Sequence, residues 1–274
     1  MINNAFNTFL GNDLYKLMLD PYMQYTCGYW RNANNLNQAQ LDKLKLISEK
    51  LKLKPGMKVL ELGCGFGGLA KYMAENYGVS VTGCSISKEQ TAIGKELCKG
   101  LPVEFLICDY MDLKADHEYD RIVGVGFMEH VGTFNYRNLF KLAEKALKDD
   151  GILVLHCMGV NSTTIGQSEK WSAKNLFPNG GFIKLEQLIT CAEDYFMVED
   201  LQNIGADYYK TLRAWEDNFD KGWPQLQPKY GDKFYKMWKL YLHYAQGLLS
   251  SRQVNVYQTV YTKKGIIGGY QAPR

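Results

Sequence analysis

The chain has few histidines and few prolines. Its 274 residues include only 4 histidines and 7 prolines, which rules out a His-rich metal tract or a proline-rich spacer. The 7 cysteines are odd in number, scattered, and include no C-x-x-C pair. That pattern excludes a disulfide framework and a zinc site and points to reduced thiols in a cytosolic protein. No window approaches the roughly 18 apolar residues of a membrane span. The N-terminus lacks a basic stretch followed by an apolar run, so no secretory signal is expected. Charge of one sign is also missing, since 32 basic against 29 acidic residues leave a formal +3. This is too little to argue for nucleic acid, although local basic patches could meet an anionic membrane surface. There are no repeats and no low-complexity segments.

What is present is a chain with 46% hydrophobic residues, enough to bury the core of one large α/β domain or two small ones. It is organised around residues 59–68, V-L-E-L-G-C-G-F-G-G. Val59, Leu60 and Leu62 read as a short buried strand. Gly63, Gly65 and Gly67 read as a turn where backbone approaches a ligand, and 69–77 has helical spacing. This is the strand–glycine-turn–helix unit of a Rossmann-like nucleotide site. Gly63, Gly65 and Gly68 also satisfy the dinucleotide pattern G-x-G-x-x-G. A dinucleotide site wants an acid about 20 residues past the glycines, and here the second strand ends in Cys84-Ser85. Glu61 instead sits just before the glycines, the arrangement of S-adenosylmethionine (SAM) methyltransferases.

The rest of the chain predicts a mostly parallel sheet of seven strands with helices on both faces. The strands are expected at 58–62, 79–83, 103–108, 121–126, 152–156, 197–204 and 255–261. Helices are expected at 37–53, 87–99, 136–147 and 184–195, with a turn at Asp149-Asp150-Gly151. In helix 37–53 the lysines between Leu41, Leu44, Ile47 and Leu51 read as a solvated face. The aromatic stretch 20–30 reads as a loop or lid, and 161–181 as an inserted lid. Phe234, Trp238, Tyr241, Ala245 and Leu248 form a stripe that is either core or the wall of a lipid-sized cavity. The expected organisation is a single catalytic domain over 1–274. Its parts are an N-terminal helical lid (1–54), a SAM-binding core (55–160), and a lid insertion with acyl-pocket helices and closing strands (161–274).

Glu129, just past the fourth strand, and His156, ending the fifth, form the informative polar pair. Both belong at the carboxyl edge of the sheet, where ligands collect in open α/β folds. His130 could instead be the functional histidine, with Glu129 an acid at a helix N-terminus. Glu129, His130 and His156 match no zinc spacing, and no metal is expected.

Six separated blocks carry a resemblance: Y-T-C-G-Y-W, E-L-G-C-G-F-G-G, F-M-E-H-V-G, L-H-C-M-G, F-P-N-G and G-A-D-Y. Together, from Gly11 to about Tyr261, they resemble the cyclopropane-fatty-acyl-phospholipid synthases, which include the mycolic acid cyclopropane synthases, and in particular their catalytic domain alone. The resemblance implies transfer of a methylene from SAM to the cis double bond of an unsaturated phospholipid acyl chain in the bilayer. The double bond attacks the SAM methyl, and a bound bicarbonate removes a proton from the transferred carbon as the ring closes. It further implies an enzyme attached peripherally to the inner face of the membrane, with a homodimer among the expectations. Carried over by position, the bicarbonate ligands are the backbone of Cys27 and Met158 and the side chains of Glu129, His156 and Tyr208. The implied SAM contacts are Tyr25, Thr26, Glu61, Gly63, Cys64, Gly65, Gly67, Ser85, Ile86, Gln90 and Tyr110. Tyr25, Tyr29, Phe177 and Tyr208 are the aromatic faces for a cationic intermediate.

Three departures from the family pattern stand out. The H-Y-D that opens the family's N-terminal motif is replaced by Asn7-Thr8-Phe9. A family cysteine once regarded as catalytic aligns with Ala245. The usual tryptophan of the glycine turn is Phe66. A methyltransferase acting on a small amine or another lipid without ring closure is the alternative reading, and an inactive lipid- or SAM-binding protein is a third.

Overall fold

The computed structural model describes residues 11–161 and 181–274. The lid expected at 161–181 and the aromatic candidate Phe177 therefore fall almost wholly, and wholly, outside the described residues, as do Asn7, Thr8 and Phe9. Within the described chain, strand parity decides what lies where. In β1 (Lys58–Leu62), Leu60 and Leu62 join Ile122, Leu139, Phe140, Leu153 and Leu155 on one face of the sheet. Val59 points the other way and joins Leu44, Ile47, Leu69, Met73, Val81, Val123 and Val154. Both faces are covered, which is why these strands read as nearly continuous apolar runs. Each such side chain contributes about 1.5–3 kcal/mol on burial.

β1 pairs in parallel with β2 (Ser80–Ser85) and β4 (Tyr119–Val125), and β2 with β3 (Val103–Ile107). β5 (Leu147–Val160) pairs in parallel with β4 and antiparallel with β8 (Asn255–Thr262). β7 (Met197–Asn203) closes the edge antiparallel to β8, giving the order β3-β2-β1-β4-β5-β8-β7. A two-residue β6 (Ile183–Lys184) pairs with β5 off this path, making eight strands among the described residues where seven were expected. β5 is longer than predicted. Its 14 residues take in the Asp149-Asp150-Gly151 turn as a bulge, since Leu147 pairs with Tyr119 before it and Ile152 with Arg121 after it.

Seven helices cover this sheet among the described residues. They are α1 (Asn12–Met18), α2 (Leu36–Lys50), α3 (Gly68–Tyr77), α4 (Lys88–Leu97), α5 (Tyr136–Ala146), α6 (Leu185–Thr190) and α7 (Gly205–Ser250). Asn35 caps α2 by accepting from Gln38 N at 3.0 Å, and Ser87 caps α4 by accepting from Gln90 N at 3.3 Å. α6 is shorter than the helix expected at 184–195. α7 carries Pro224 and Pro228 and is broken at Gly231, whose φ is 71°, so it is two helices joined at a left-handed residue. Its two halves enclose an aromatic core with α1, in which Leu14, Met18, Trp215, Phe219, Trp238 and Leu242 are buried. Glu216 ties the halves together. It accepts from Gln246 Nε2 (2.9 Å), from Arg213 Nη1 (3.1 Å) and from Lys239, and bonds His243 Nε2 (2.6 Å).

The lysines of α2 overturn one expectation. Lys43 and Lys50 are fully buried, not solvated, because each finds polar partners far along the chain. Lys43 donates to Gln24 Oε1 (2.5 Å) and Thr26 Oγ1 (2.9 Å). Lys50 donates to Gln202 Oε1 (2.7 Å) and lies 3.4 Å from Asp200. Among the described residues, no helix is long and apolar enough to cross a membrane.

Candidate functional site

Strand order reverses between β1 and β4, which directs the chain after β1 and the chain after β4 to opposite sides and leaves a crevice between them. A cavity of about 380 Å³ opens there. It is lined by Tyr25, Thr26, Cys27, Glu61, Gly63, Cys64, Gly65, Ser85, Ile86, Gln90, Tyr110, Glu129, His156, Met158 and Tyr208. These are all of the anion and SAM contacts expected from the sequence except Gly67; of the aromatic candidates, Tyr25 and Tyr208 line the cavity, whereas Tyr29 does not and packs against the buried aromatic cluster. Gly67 is instead a packing position. Its φ is 76°, and a Cβ there would come within 2.6 Å of the Phe105 ring. Gly65 differs, for its φ is 53° and a Cβ would meet nothing within 4 Å. Its backbone borders open space on the cavity side.

The wall formed by residues 20–30 is held from two sides. Asp20 accepts from the backbone of Tyr22 (2.9 Å) and Gln24 (2.8 Å). From α2, Gln40 donates to Thr26 O at 2.9 Å, and Lys43 bonds Gln24 and Thr26 as above. From α7, the buried Thr211 hydroxyl accepts from Gly28 N (3.0 Å) and Trp30 Nε1 (2.9 Å). Tyr25 stacks on Trp215 with ring centroids 4.9 Å apart, and its hydroxyl is 3.0 Å from that of Tyr241. The stripe on α7 is thereby divided. Tyr241, Ala245 and Leu248 line the cavity, whereas Trp238 is buried in the aromatic core with Phe234 against it.

Glu129 sits in a 3-10 turn after β4 and is buried. One carboxylate oxygen accepts from Met158 N at 2.6 Å, while the other is buried without a hydrogen-bond partner. Burial, opposed by the Met158 N–H, pushes its carboxyl up to about 7. His156 is buried on β5, with Nδ1 3.2 Å from Gln258 Nε2. Burial, joined by the charges of Lys43 and Lys50, holds its imidazole well below the usual range, so it is neutral. The Tyr208 phenol is held well above its ordinary value by burial and by Tyr241, Cys27 and Glu129, so it stays protonated and can donate. Burial also raises the Cys27 thiol well above the range of a reactive thiolate. His130, the other histidine considered, lines the same cavity from an exposed position.

At the other end of the cavity, burial raises Glu61 to about 8, with Lys43 working in the opposite direction. Its Oε2 is buried without a partner, as is the hydroxyl of Tyr110. Among the described residues, the cavity thus presents three buried polar atoms without partners, on Glu61, Tyr110 and Glu129, each of which costs stability until something meets it. Periodicity missed Lys43 and Gln258. A lysine within an amphipathic pattern and a glutamine within an alternating strand carry no local sign that their partners lie across the fold.

Comparison with known proteins gives this geometry a context. The family model described as mycolic acid cyclopropane synthetase matches residues 3–259. The cyclopropane-fatty-acyl-phospholipid synthase of Escherichia coli (strain K12) is 45% identical over 265 residues, covering 97% of this chain and 68% of that protein. A solved cyclopropane synthase from Mycobacterium tuberculosis superposes with a TM-score of 0.88 at 26% identity, covering 93% of this chain and 95% of that one. A mycolic acid cyclopropane synthase complexed with SAH and CTAB gives a TM-score of 0.85 at 27% identity, covering 92% and 94%. Taken with the sheet order and the glycine turn at the crevice, the match over nearly the whole length means that this chain belongs to the mycolic acid cyclopropane synthetase family of SAM-dependent methyltransferases.

Proposed function

We propose that this protein is a cyclopropane-fatty-acyl-phospholipid synthase that uses a bound bicarbonate as its base. The observation that carries the reading is the buried, unpartnered oxygen of Glu129 in a cavity shared with His156 and Tyr208. A carboxylate there offers an acceptor, while a neutral imidazole and a protonated phenol offer donors. Bicarbonate needs that combination, having one hydroxyl to donate and oxygens that accept. Burying such an anion without partners would be prohibitive, so its donors must converge. Backbone N–H groups at Cys27 and Met158 belong to the same proposed set. Met158 N already donates to Glu129, so its part is to orient that carboxylate.

SAM fits the opposite end of the cavity. Glu61 supplies an acceptor for an ammonium or hydroxyl group, and Gly63 and Gly65 leave room for close approach. Ser85, Ile86, Gln90 and Tyr110 form the wall where a second-strand carboxylate is missing. When bound, SAM supplies an activated methyl group and bicarbonate supplies a base. The chain itself orients both, keeps water out, and surrounds the reacting carbon with the rings of Tyr25 and Tyr208, whose faces favour positive charge. The apolar wall of Leu212, Leu248 and Leu249 suits an acyl chain, entering from a membrane surface on which the protein docks without spanning it.

Incubation with SAM and vesicles of cis-unsaturated phosphatidylglycerol tests this reading. Mass spectrometry should find acyl chains heavier by CH2 with the double bond consumed, and turnover should fall when dissolved CO2 is removed. A methyl-branched product with an alkene retained, or methylation of small amines alone, would replace this reading with that of a simple methyltransferase.

A further inference from the structure

Gln258 belongs to none of the motifs above, yet it is fully buried beside His156. The two residues face each other across the antiparallel β5–β8 ladder, and Gln258 faces Gln202 across the β8–β7 ladder. Residues directly opposite in a sheet project from the same face. His156, Gln258 and Gln202 therefore form one polar row on the face covered by α2. The row ends at Lys50, which donates to Gln202 Oε1 at 2.7 Å. Lys50 in turn lies beside Asp200, which Arg274 grips from outside, with Nη1 2.9 Å from Oδ2.

A planar amide has its carbonyl and its NH2 on opposite sides. The Lys50 ammonium draws the Gln202 carbonyl toward itself and so turns that amide's NH2 the other way. Gln258 has the same polarity. Its Nε2 lies 3.2 Å from His156 Nδ1, and its Oε1 is buried without a partner on the other side. An amide nitrogen donates and does not accept, so Nδ1 must be the acceptor of this bond. A neutral imidazole with Nδ1 occupied as acceptor carries its only proton on Nε2.

We propose that Gln258 is a positioning residue: its amide NH2, set 3.2 Å from Nδ1 across the β5–β8 ladder, commits His156 to the Nε2–H tautomer and so makes it a donor in the cavity. The inference rests on the anion reading above, because a bound bicarbonate oxygen needs a donor from His156. With the opposite tautomer, the imidazole would meet that anion with a lone pair.

The tautomer can be read directly by long-range nitrogen–proton NMR on the ligand-free protein labelled with 15N-histidine. Loss of one signal set in His156→Gln assigns the ring among the four histidines. The expected pattern is an unprotonated Nδ1 and a protonated Nε2. In Gln258→Glu a carboxylate replaces the donor, and the proton should move to Nδ1. Ring formation should then fall by about 10- to 100-fold, the usual cost of losing the group that orients a functional histidine, and half-saturation by bicarbonate should shift upward. SAM binding by calorimetry should stay within about twofold, which separates this loss from misfolding. Gln258→Leu should leave a tautomer mixture and an intermediate rate.

A wild-type spectrum with Nδ1 protonated would overturn the proposal. So would a Gln258→Glu enzyme whose proton has moved but whose turnover is intact. Failure of the anion reading looks different: Glu129→Gln would keep full activity while the wild-type tautomer remained as stated.

Discussion

Two buried glutamates, one in the cavity wall and one in the helical cap, separate the two halves of this molecule. Glu129 and Glu216 are only 7% and 3% exposed, yet they are driven in opposite directions. Glu129 accepts from Met158 N with one oxygen while the other has no hydrogen-bond partner among the described residues, and burial lifts its carboxyl to about 7. For Glu216, burial is outweighed by Lys239, Gln246 and His243, and its carboxyl is held down to about 2. Similar burial, with unequal satisfaction, marks one as waiting for a partner and the other as a clasp between two helices. A stability cost at a site is thus a pointer to chemistry, whereas a fully satisfied network is a pointer to architecture.

The sharpest way to break this comparison is to neutralise each glutamate. Glu129→Gln should lower ring formation by on the order of 10³-fold, within the range for a group engaged in proton transfer, as read by mass spectrometry of treated vesicles. The ligand-free variant should nevertheless melt a few degrees higher than wild type at pH 8, because a buried charge has been removed. Tyr208→Phe should lower turnover by about 10- to 100-fold, the smaller cost of losing one donor to a buried charge, while leaving SAM affinity unchanged. Glu216→Gln should do the reverse of Glu129→Gln. It should cost about 3 kcal/mol of stability in denaturant titrations and leave the turnover of the folded fraction within about twofold.

The pH dependence sharpens the contrast further. Glu129 binds its proton more tightly folded than unfolded, so its contribution to stability falls as pH rises from about 4.5 to about 7, by up to about 3 kcal/mol. Activity at fixed bicarbonate should rise over the upper part of that range, as the carboxylate becomes available. Glu216 binds its proton less tightly when folded. Its stabilisation is full above about 4.5 and is lost as pH falls from there to about 2. Melting curves of wild type against Glu129→Gln and Glu216→Gln across pH 3–8 should show these two opposite slopes. The smallest effect is expected at the cavity wall on α7. Ala245→Cys, which restores the family's residue, should alter turnover by less than about threefold, because the reaction proposed here needs no thiol.

The same division governs what could be read from the chain alone. The parallel half was legible because its strands are short apolar runs that must be covered on both faces, and because the glycines after Leu62 have few structural alternatives. Glu129, His156 and Tyr208 were legible by resemblance, and the fold gathers them around one cavity. The cap was harder. α7 continues through Pro224 and Pro228 because packing against α1 and the aromatic core outweighs local breakers. The Asp149-Asp150-Gly151 turn became a bulge inside β5 because pairing with β4 resumes on either side of it. Lys43, Lys50 and Gln258 were invisible as functional elements. Their partners are contributed by segments 17, 152 and 102 residues away, and periodicity reports nothing about such distances.

β5 is the seam at which parallel pairing gives way to antiparallel, and this has a consequence for how the protein could change. His156 is clamped by two neighbours whose ladders obey different rules. A slip of one position against either would turn the imidazole to the wrong side of the sheet. On the function proposed above, outer strands and the cap can therefore drift and accept new acyl chains while this one strand stays fixed. Attempts to retune the enzyme for other lipids should redraw α7 and leave the seam untouched.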